Sequence, residues 1–174
     1  MATHLVAQAL LFSMPSRRRR ELREKATREV DAGRKLAIYD RETGLQAYWY
    51  FTKRMEEELD RSARYGRKLV VALVEADRAA GERALAEIHA WLREGIRGSD
   101  LATHLGDGRF LILLPEADST AAAAFRTRMK ESLPAQIAGI GCFPENGASV
   151  RALRAAAEED LGVQCIVERL QRQS

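Results

Sequence analysis

The sequence predicts an α+β fold in which helices pack on a central, largely antiparallel sheet. The segment 101–114 contains two apolar runs separated by Gly106-Asp107-Gly108, a combination typical of a β-hairpin. A further continuous apolar run, Leu69–Val74, is short and rich in β-branched residues, which indicates a buried strand. Ala-rich stretches with helical periodicity separate these runs. The 174 residues suffice for one domain and a short additional segment.

The predicted elements of the domain follow one another between residues 38 and 170. Apolar residues at helical spacing predict a first helix that ends at Gly66. Pro115 ends the second strand of the hairpin. In chain order, we expect a helix at 46–64, a strand at 68–76, a helix at 79–97, the hairpin, a helix at 120–133, a strand at 136–142, a short helix at 149–160 and a last strand at 163–167.

Residues 1–37 are predicted to form a separate N-terminal segment. An apolar stretch at 5–12 precedes four consecutive arginines, Arg17–Arg20, and a charged stretch with a thin apolar stripe follows. The stripe predicts a connecting helix that packs on its own domain or on a second copy or other protein partner. The apolar stretch is too short for the roughly 20 residues of a spanning helix. Residues 1–20 are therefore interpreted either as an amphipathic helix packed on protein or as a contact with an anionic membrane surface.

The charge and the cysteines limit the functions that the chain can have. The formal net charge is +3, and much of the excess comes from Arg17–Arg20. A nucleic-acid-binding face needs basic residues spread over one surface, so nucleic acid is not an expected partner. Cys142 and Cys165 have no cysteine or histidine at metal-ligand spacing and indicate a reducing compartment. We expect a cytoplasmic protein, with the inner face of the membrane as the alternative location.

Four separated stretches resemble, in the right order, the GGDEF (diguanylate cyclase) family. Asp40–Leu45 resembles the opening motif of the family, and Glu75–Asp77 resembles its metal-binding Asp-x-Asp. Gly106–Phe110, which reads Gly-Asp-Gly-Arg-Phe, resembles the signature itself, and Pro144–Ser149 resembles the late strand and helix. The resemblance implies the palm-like fold of nucleotide cyclases for residues 38–170, preceded by an N-terminal helix.

The signature departs from the family's pattern at positions that would hold a metal ion. Active relatives join two GTP molecules with divalent metal held by a strand aspartate and by the acidic third signature residue. The corresponding residues here are Glu75 and Gly108, and Arg109 replaces the usually acidic fourth residue. Asp107 lies one residue early in the turn and is expected to bond its own backbone. The resemblance thus implies no metal site, with Glu75 and Asp77 as vestigial ligands.

Two other segments of the family are expected to be missing. The guanine-contacting segment after the Asp-x-Asp is absent, since Gly81-Glu82 follows Asp77 within a few residues. The lysine-bearing stretch near the C-terminus is also expected to be missing, because Asp160–Gly162 leads into the predicted last strand. We therefore expect no cyclase activity and no cofactor.

One ligand site of the family is retained in the sequence. Arg97 and Asp100 stand where relatives have the inhibitory Arg-x-x-Asp motif (the I-site), which binds cyclic di-GMP. The resemblance implies that Arg97 binds a phosphate or the acceptor edge of guanine and that Asp100 accepts from guanine N–H groups. Arg128, on the next predicted helix, completes the site. The plain alternative is a surface salt bridge between Arg97 and Asp100.

Three functions follow from these interpretations. The first is a catalytically inactive receptor for cyclic di-GMP that signals through its N-terminal helix. The second is an interaction or dimerisation module that binds no nucleotide. The third is an active diguanylate cyclase, which would require metal-dependent turnover of GTP in spite of Gly108. His89 and His104 have no metal-like companions in the sequence and are expected to be structural.

Overall fold

The computed structural model of the protein describes residues 38–77, 79 and 81–171. Residues from Tyr39 onward form one compact unit. The predicted connecting helix and the membrane or partner contact of residues 1–37 lie outside the described residues. The described part of the chain contains, in order, α1 (Tyr48–Tyr65), β1 (Leu69–Glu75), α2 (Gly81–Gly95), β2 (Leu101–Gly106), β3 (Arg109–Pro115), α3 (Ser119–Ser132), β4 (Ile137–Phe143) and α4 (Val150–Gln171).

The four strands form one antiparallel sheet in the order β2-β3-β1-β4. The largely antiparallel sheet with packed helices that the sequence predicts is therefore confirmed. β1 is one of the two inner strands and is buried along almost its whole length, as its continuous apolar run predicts. Because neighbouring side chains of a strand point to opposite faces, β1 contributes to two cores, one on each side of the sheet.

Each face of the sheet is covered by two helices. Val70, Ala72 and Val74 of β1 face a core to which α2 and α3 contribute Ala84, Ile88, Leu92, Ala122, Phe125 and Met129. On the opposite face, the remaining apolar side chains of β1 pack with α1 and α4, which contribute Phe51, Met55, Leu59, Leu153, Ala157 and Leu161.

Helix α4 lies directly on the backbone of β4 because two strand positions are glycine. A Cβ at Gly139 would lie 1.9 Å from the carbonyl oxygen of Ala157, and one at Gly141 would lie 2.2 Å from that of Leu153. Any larger residue would push the helix away from the sheet. These two glycines therefore set the distance between α4 and β4.

The predicted last strand at 163–167 is wrong, because these residues continue α4. Buried Leu153, Ala157 and Leu161 repeat every four residues and hold the helix on the sheet. Gly162 is exposed and does not end the helix. A short β-branched run has no periodicity that separates strand from helix, and the packing of the preceding turns decides the outcome. The expectation that the family's C-terminal lysine is missing can therefore no longer rest on a strand after Gly162. It rests on the sequence, because residues 160–171 contain no lysine.

Among the described helices, none is both long and apolar enough to span a bilayer. Cys142 and Cys165 are free thiols. Cys142 lies in the core, where burial raises the pKa of its thiol. Cys142 is thus a small packing residue of the core, whereas Cys165 is only partly buried.

Candidate functional site

The signature residues form a tight turn between β2 and β3, as the sequence predicts. Asp107 and Gly108 are its two central residues and have φ values of 51° and 75°. Positive φ at both central residues is the geometry of a hairpin turn that matches the twist of the strands. The carbonyl of Gly108 accepts a 2.8 Å hydrogen bond from the amide of Ala76, which ties the turn to the end of β1. Gly108 contributes backbone contacts here, but no ligand side chain.

Glu75, which the sequence predicts to be a vestigial metal ligand, faces an arginine. Glu75 and Arg109 are direct partners in the pairing of β1 with β3. Arg109 Nε lies 3.4 Å from Glu75 Oε2, so the two side chains form an ion pair. A guanidinium at this distance repels a divalent cation and neutralises the carboxylate that would bind it. The residues present therefore do not fit the metal site of an active cyclase.

Asp77 is not placed to assist Glu75. β1 ends at Glu75, and Asp77 lies in the following turn. Its Oδ1 accepts from the amide of Ala79 at 2.9 Å, and its own amide donates to Gln136 Oε1 at 2.6 Å. Sequence reasoning did not identify Gln136, which is almost completely buried and fixes this turn. Among the described residues, no three His, Cys, Asp or Glu side chains are grouped to hold a metal ion.

An open cavity of about 510 Å³ lies beside the signature turn. Asp77 and Asp107 contribute carboxylates to its lining, and the other lining residues are Ala76, Gly81, Leu85 and Gly108. The described lining residues include two carboxylates and no basic side chain. A phosphate group would be repelled by these two carboxylates.

The second predicted site lies at the other end of β2, in the turn between α2 and β2. The backbone amide of Arg97 donates to Asp100 Oδ2 at 2.9 Å, and the amide of Asp100 donates to the carbonyl of Arg97 at 3.0 Å. The hydroxyl of Ser99 makes a longer contact of 3.4 Å with Asp100 Oδ1. Asp100 is buried and Arg97 is exposed. The carboxylate therefore fixes the backbone of the turn and leaves the guanidinium of Arg97 directed to solvent.

Arg128 reaches the same place from α3. Its Nη1 lies 3.5 Å from the carbonyl oxygen of Gly95, the last residue of α2. The C-terminal end of a helix attracts cations, because its carbonyl groups carry partial negative charge. Arg97, Asp100 and Arg128, which we call the arginine corner, are thus brought together at the end of α2. Among the described residues, the Asp100 carboxylate accepts a hydrogen bond from the backbone of Arg97 and forms no salt bridge with the Arg97 side chain.

Arg126 has a different partner from Arg128, although the two lie close together in α3. Arg126 forms an ion pair with Asp160 of α4. Asp160 Oδ2 also accepts from the amide of Ile140 at 2.8 Å, which covers part of the edge of β4. This pair fastens α3, α4 and the sheet together, and it leaves Arg128 as the α3 arginine that faces the corner.

His89 and His104 form an aromatic cluster with the signature residue Phe110. The ring centroid of Phe110 lies 5.1 Å from that of His89 and 4.7 Å from that of His104. Burial, the neighbouring His104 and the cation of Arg93 lower the pKa of His89. Phe110 is fully buried, so the last residue of the signature anchors the hairpin to α2.

The antiparallel sheet, its signature hairpin and the two helical layers define a domain of the nucleotide-cyclase type. The sequence profile described as "Diguanylate cyclase, GGDEF domain" matches residues 37–162, well over half of the chain. The chain therefore belongs to the GGDEF family, whose members are normally diguanylate cyclases. No curated protein matches the chain closely enough to count as a relative.

Solved structures support the same fold. A sensory box/GGDEF family protein from Caulobacter crescentus CB15 superposes with a TM-score of 0.63 at 23% identity, covering 72% of this chain and 96% of that one. The isolated GGDEF domain of Pseudomonas aeruginosa TpbB (YfiN) gives 0.65 at 23% identity, covering 72% and 87%. The GGDEF domain of Caulobacter crescentus DgcB, solved in complex with c-di-GMP, gives 0.60 at 12% identity, covering 75% and 89%.

Proposed function

We propose that this protein is a catalytically inactive GGDEF domain that binds cyclic di-GMP at its arginine corner. The observation that carries the proposal is the convergence of two exposed arginines, Arg97 and Arg128, on the C-terminal end of α2. Relatives with this fold include the DgcB domain that was solved with the same ligand. The signalling output is assigned to the N-terminal helix predicted from the sequence.

Three features at the signature support the absence of catalysis. The third signature residue is Gly108, which has no ligand atom. Glu75 is neutralised by Arg109 at 3.4 Å. The described lining of the neighbouring cavity contains two carboxylates, which would repel a triphosphate. Joining two GTP molecules depends on metal ions that bridge the phosphates and neutralise developing charge, so losing these ligands removes the main source of rate acceleration.

Each residue of the arginine corner has a distinct role in the proposed complex. The guanidinium groups of Arg97 and Arg128 offer paired N–H donors to a phosphate or to O6 and N7 of guanine. Asp100 Oδ2 holds the amide of Arg97, which fixes the direction of that side chain. Asp100 Oδ1, whose contact with Ser99 is long at 3.4 Å, is the acceptor assigned to the N–H groups of guanine.

A second candidate function is an interaction module that binds no nucleotide. The observation that favours it is an apolar stripe on the second half of α4. Val163, Ile166 and Val167 are 51%, 59% and 41% exposed, and their spacing places them on one side of the helix. Exposed apolar side chains at helical spacing are typical of helix–helix contacts between proteins.

Titration calorimetry with cyclic di-GMP distinguishes the two functions. The receptor function predicts heat with a Kd of tens of micromolar or tighter, which corresponds to roughly −6 to −7 kcal/mol. The variant Arg97→Ala should bind at least about tenfold more weakly, because a hydrogen bond to a charged group contributes roughly 1.5–3 kcal/mol.

Arg109→Gln is the matched control for this experiment. It also removes one arginine, but in the Glu75 ion pair rather than at the corner, and it should bind as the unaltered protein does. An absence of heat from the unaltered protein contradicts the receptor function and leaves the interaction module. Metal-dependent turnover of GTP by the same sample would contradict the proposed inactivity.

A further inference from the structure

We infer that Trp91 is a further ligand-binding residue of the arginine corner, where its indole stacks on a purine base. The inference rests on the proposed function, and Trp91 would add an uncharged aromatic side chain to the charged residues of the corner. Trp91 lies in α2, one turn before Gly95, the residue whose carbonyl receives Arg128. Gly95 is in contact with both side chains, because its Cβ position lies 3.4 Å from the indole and its carbonyl oxygen lies 3.5 Å from Arg128 Nη1.

Two side-chain contacts join α2 to α3 near Trp91 and Gly95. Trp91 packs edge-on against Phe125, with ring centroids 5.5 Å apart and an interplanar angle of 68°. One turn further along both helices, Arg128 reaches Gly95. Residues four apart in α2 and three apart in α3 are neighbours on the helix surface. The Arg128 guanidinium therefore contacts the same residue, Gly95, that lies against the indole.

Gly95 leaves the indole accessible. A Cβ at this position would lie 3.4 Å from Cε2, 3.5 Å from Nε1 and 3.7 Å from Cδ1 of Trp91, in ordinary van der Waals contact. Side chains of a helix lean towards its N-terminus, so any other residue at 95 would cover this part of the ring. Trp91 itself is only half-buried, with its inner side on the core. The part of the ring next to Gly95 therefore lies near the carbonyl group that Arg128 approaches.

An aromatic ring beside two exposed arginines is an arrangement suited to a purine nucleotide. The arginines bind the phosphate and the acceptor edge of the base, whereas the ring binds the flat face of the base. Stacking does not depend on hydrogen bonds and therefore adds affinity without another charge. The arrangement favours a ligand that combines guanine with phosphate over inorganic phosphate or pyrophosphate, which has no face to stack.

Calorimetry with cyclic di-GMP on the whole chain tests the inference through two variants. Trp91→Leu keeps an apolar contact with Phe125 and should weaken binding about 5- to 150-fold, the range for loss of one base–aromatic stack. Gly95→Ala adds a methyl group over the ring and should also weaken binding. Alanine favours a helix more than glycine does, so the melting temperature of this variant should stay the same or rise.

Tryptophan emission gives a second readout, because the chain contains only Trp49 and Trp91. Trp49 lies in α1, which packs on the opposite face of the sheet, so it provides the matched control. With saturating cyclic di-GMP, the variant Trp49→Phe should lose emission and the variant Trp91→Phe should not.

The outcomes separate this inference from the function on which it rests. If the unaltered protein releases heat but Trp91→Leu and Gly95→Ala bind equally well, Trp91 is not a ligand-binding residue and the receptor function stands. A binding-competent Trp49→Phe variant with constant emission leads to the same conclusion. If neither the unaltered protein nor the variants release heat with cyclic di-GMP, both the receptor function and the role of Trp91 are wrong.

Discussion

The signature hairpin and the arginine corner lie at opposite ends of the same strand, β2, and they use their charges in opposite ways. At the hairpin, the Glu75 carboxylate pairs with the guanidinium of Arg109. At the corner, the Asp100 carboxylate bonds the backbone amide of Arg97 and leaves that guanidinium exposed. An arginine is available to a ligand only when the neighbouring carboxylate has another partner. The corner therefore offers an exposed guanidinium to an anion, whereas the guanidinium of Arg109 is paired with Glu75.

The two regions also differ in how they are fixed. The signature turn is held by its own φ angles and by the Gly108–Ala76 hydrogen bond, and Phe110 anchors it in the core. The corner combines the turn after α2 with one side chain from α3, so its geometry depends on how α2 and α3 pack. Substitutions at the corner should therefore alter binding, whereas substitutions at the hairpin should alter stability.

The largest expected effect is the removal of both arginines from the corner. Arg97→Ala and Arg128→Ala each remove donors to an anionic ligand, and together they should weaken cyclic di-GMP binding at least about hundredfold, or roughly 3 kcal/mol. Calorimetry of both single variants and the double variant also measures their coupling. Effects that add without coupling would mean that the two arginines bind separate parts of the ligand. A comparable loss of cyclic di-GMP affinity in Arg109→Gln would mean that the ligand binds at the hairpin and not at the corner.

An attempt to restore the signature should reduce stability without restoring activity. In the variant Gly108→Glu, the new side chain must adopt φ near 75°, and its Cβ would lie 3.3 Å from the Cβ of Ala76. A non-glycine residue in such a conformation costs about 1–3 kcal/mol, measurable by urea denaturation. No pyrophosphate should be released from GTP with Mg²⁺, because Arg109 still neutralises Glu75.

Asp107→Asn is the matched control for this variant. It changes a charge in the same turn at a position that already has a side chain at positive φ, and asparagine accepts that conformation. It should therefore unfold as the unaltered protein does. If Gly108→Glu were as stable as the control and released pyrophosphate, the missing carboxylate at position 108 would be the only defect of a catalytic site at the hairpin.

The sequence predicted most of the fold because strong local signals agreed with the packing. The buried run of β1, the Asp107-Gly108 turn and the breaks at Gly66 and Pro115 each have one dominant interpretation. The error at 163–167 arose where the local signal was weakest. There, the buried repeat that ends at Leu161 holds the helix on the sheet, and the helix continues through residues 163–167, which are not part of that repeat.

The candidate site could be predicted only in part. The Arg97–Asp100 spacing located the turn, yet it did not indicate that the Asp100 carboxylate bonds backbone. Contacts between residues far apart in sequence have no local signal. The Glu75–Arg109 pair follows from strand register, and the approach of Arg128 to Gly95 follows from helix packing. Both depend on the assembled sheet and its helical layer.

The smallest expected effect concerns His89, which connects α2 to the hairpin through Phe110. Burial, His104 and Arg93 lower its pKa below the usual value of 6.5, while the carboxylate of Asp40 opposes them. The fold thus favours the neutral imidazole. When the pH falls below about 6.5, the unfolded chain binds a proton first, so the free energy of unfolding declines. The decline stops below the folded-state pKa.

The variant His89→Phe tests this connection. It keeps a ring against Phe110 and removes the titrating group, so the melting temperature should fall less between about pH 7 and pH 5 than in the unaltered protein. Arg93→Gln removes one of the charges that lower the pKa of His89 and should reduce the slope by a smaller amount. The pKa of Asp40 is lowered by the Thr43 amide and stays below this range, so its titration does not contribute. An unchanged slope in His89→Phe would mean that the protonation of His89 does not contribute to the pH dependence of the free energy of unfolding.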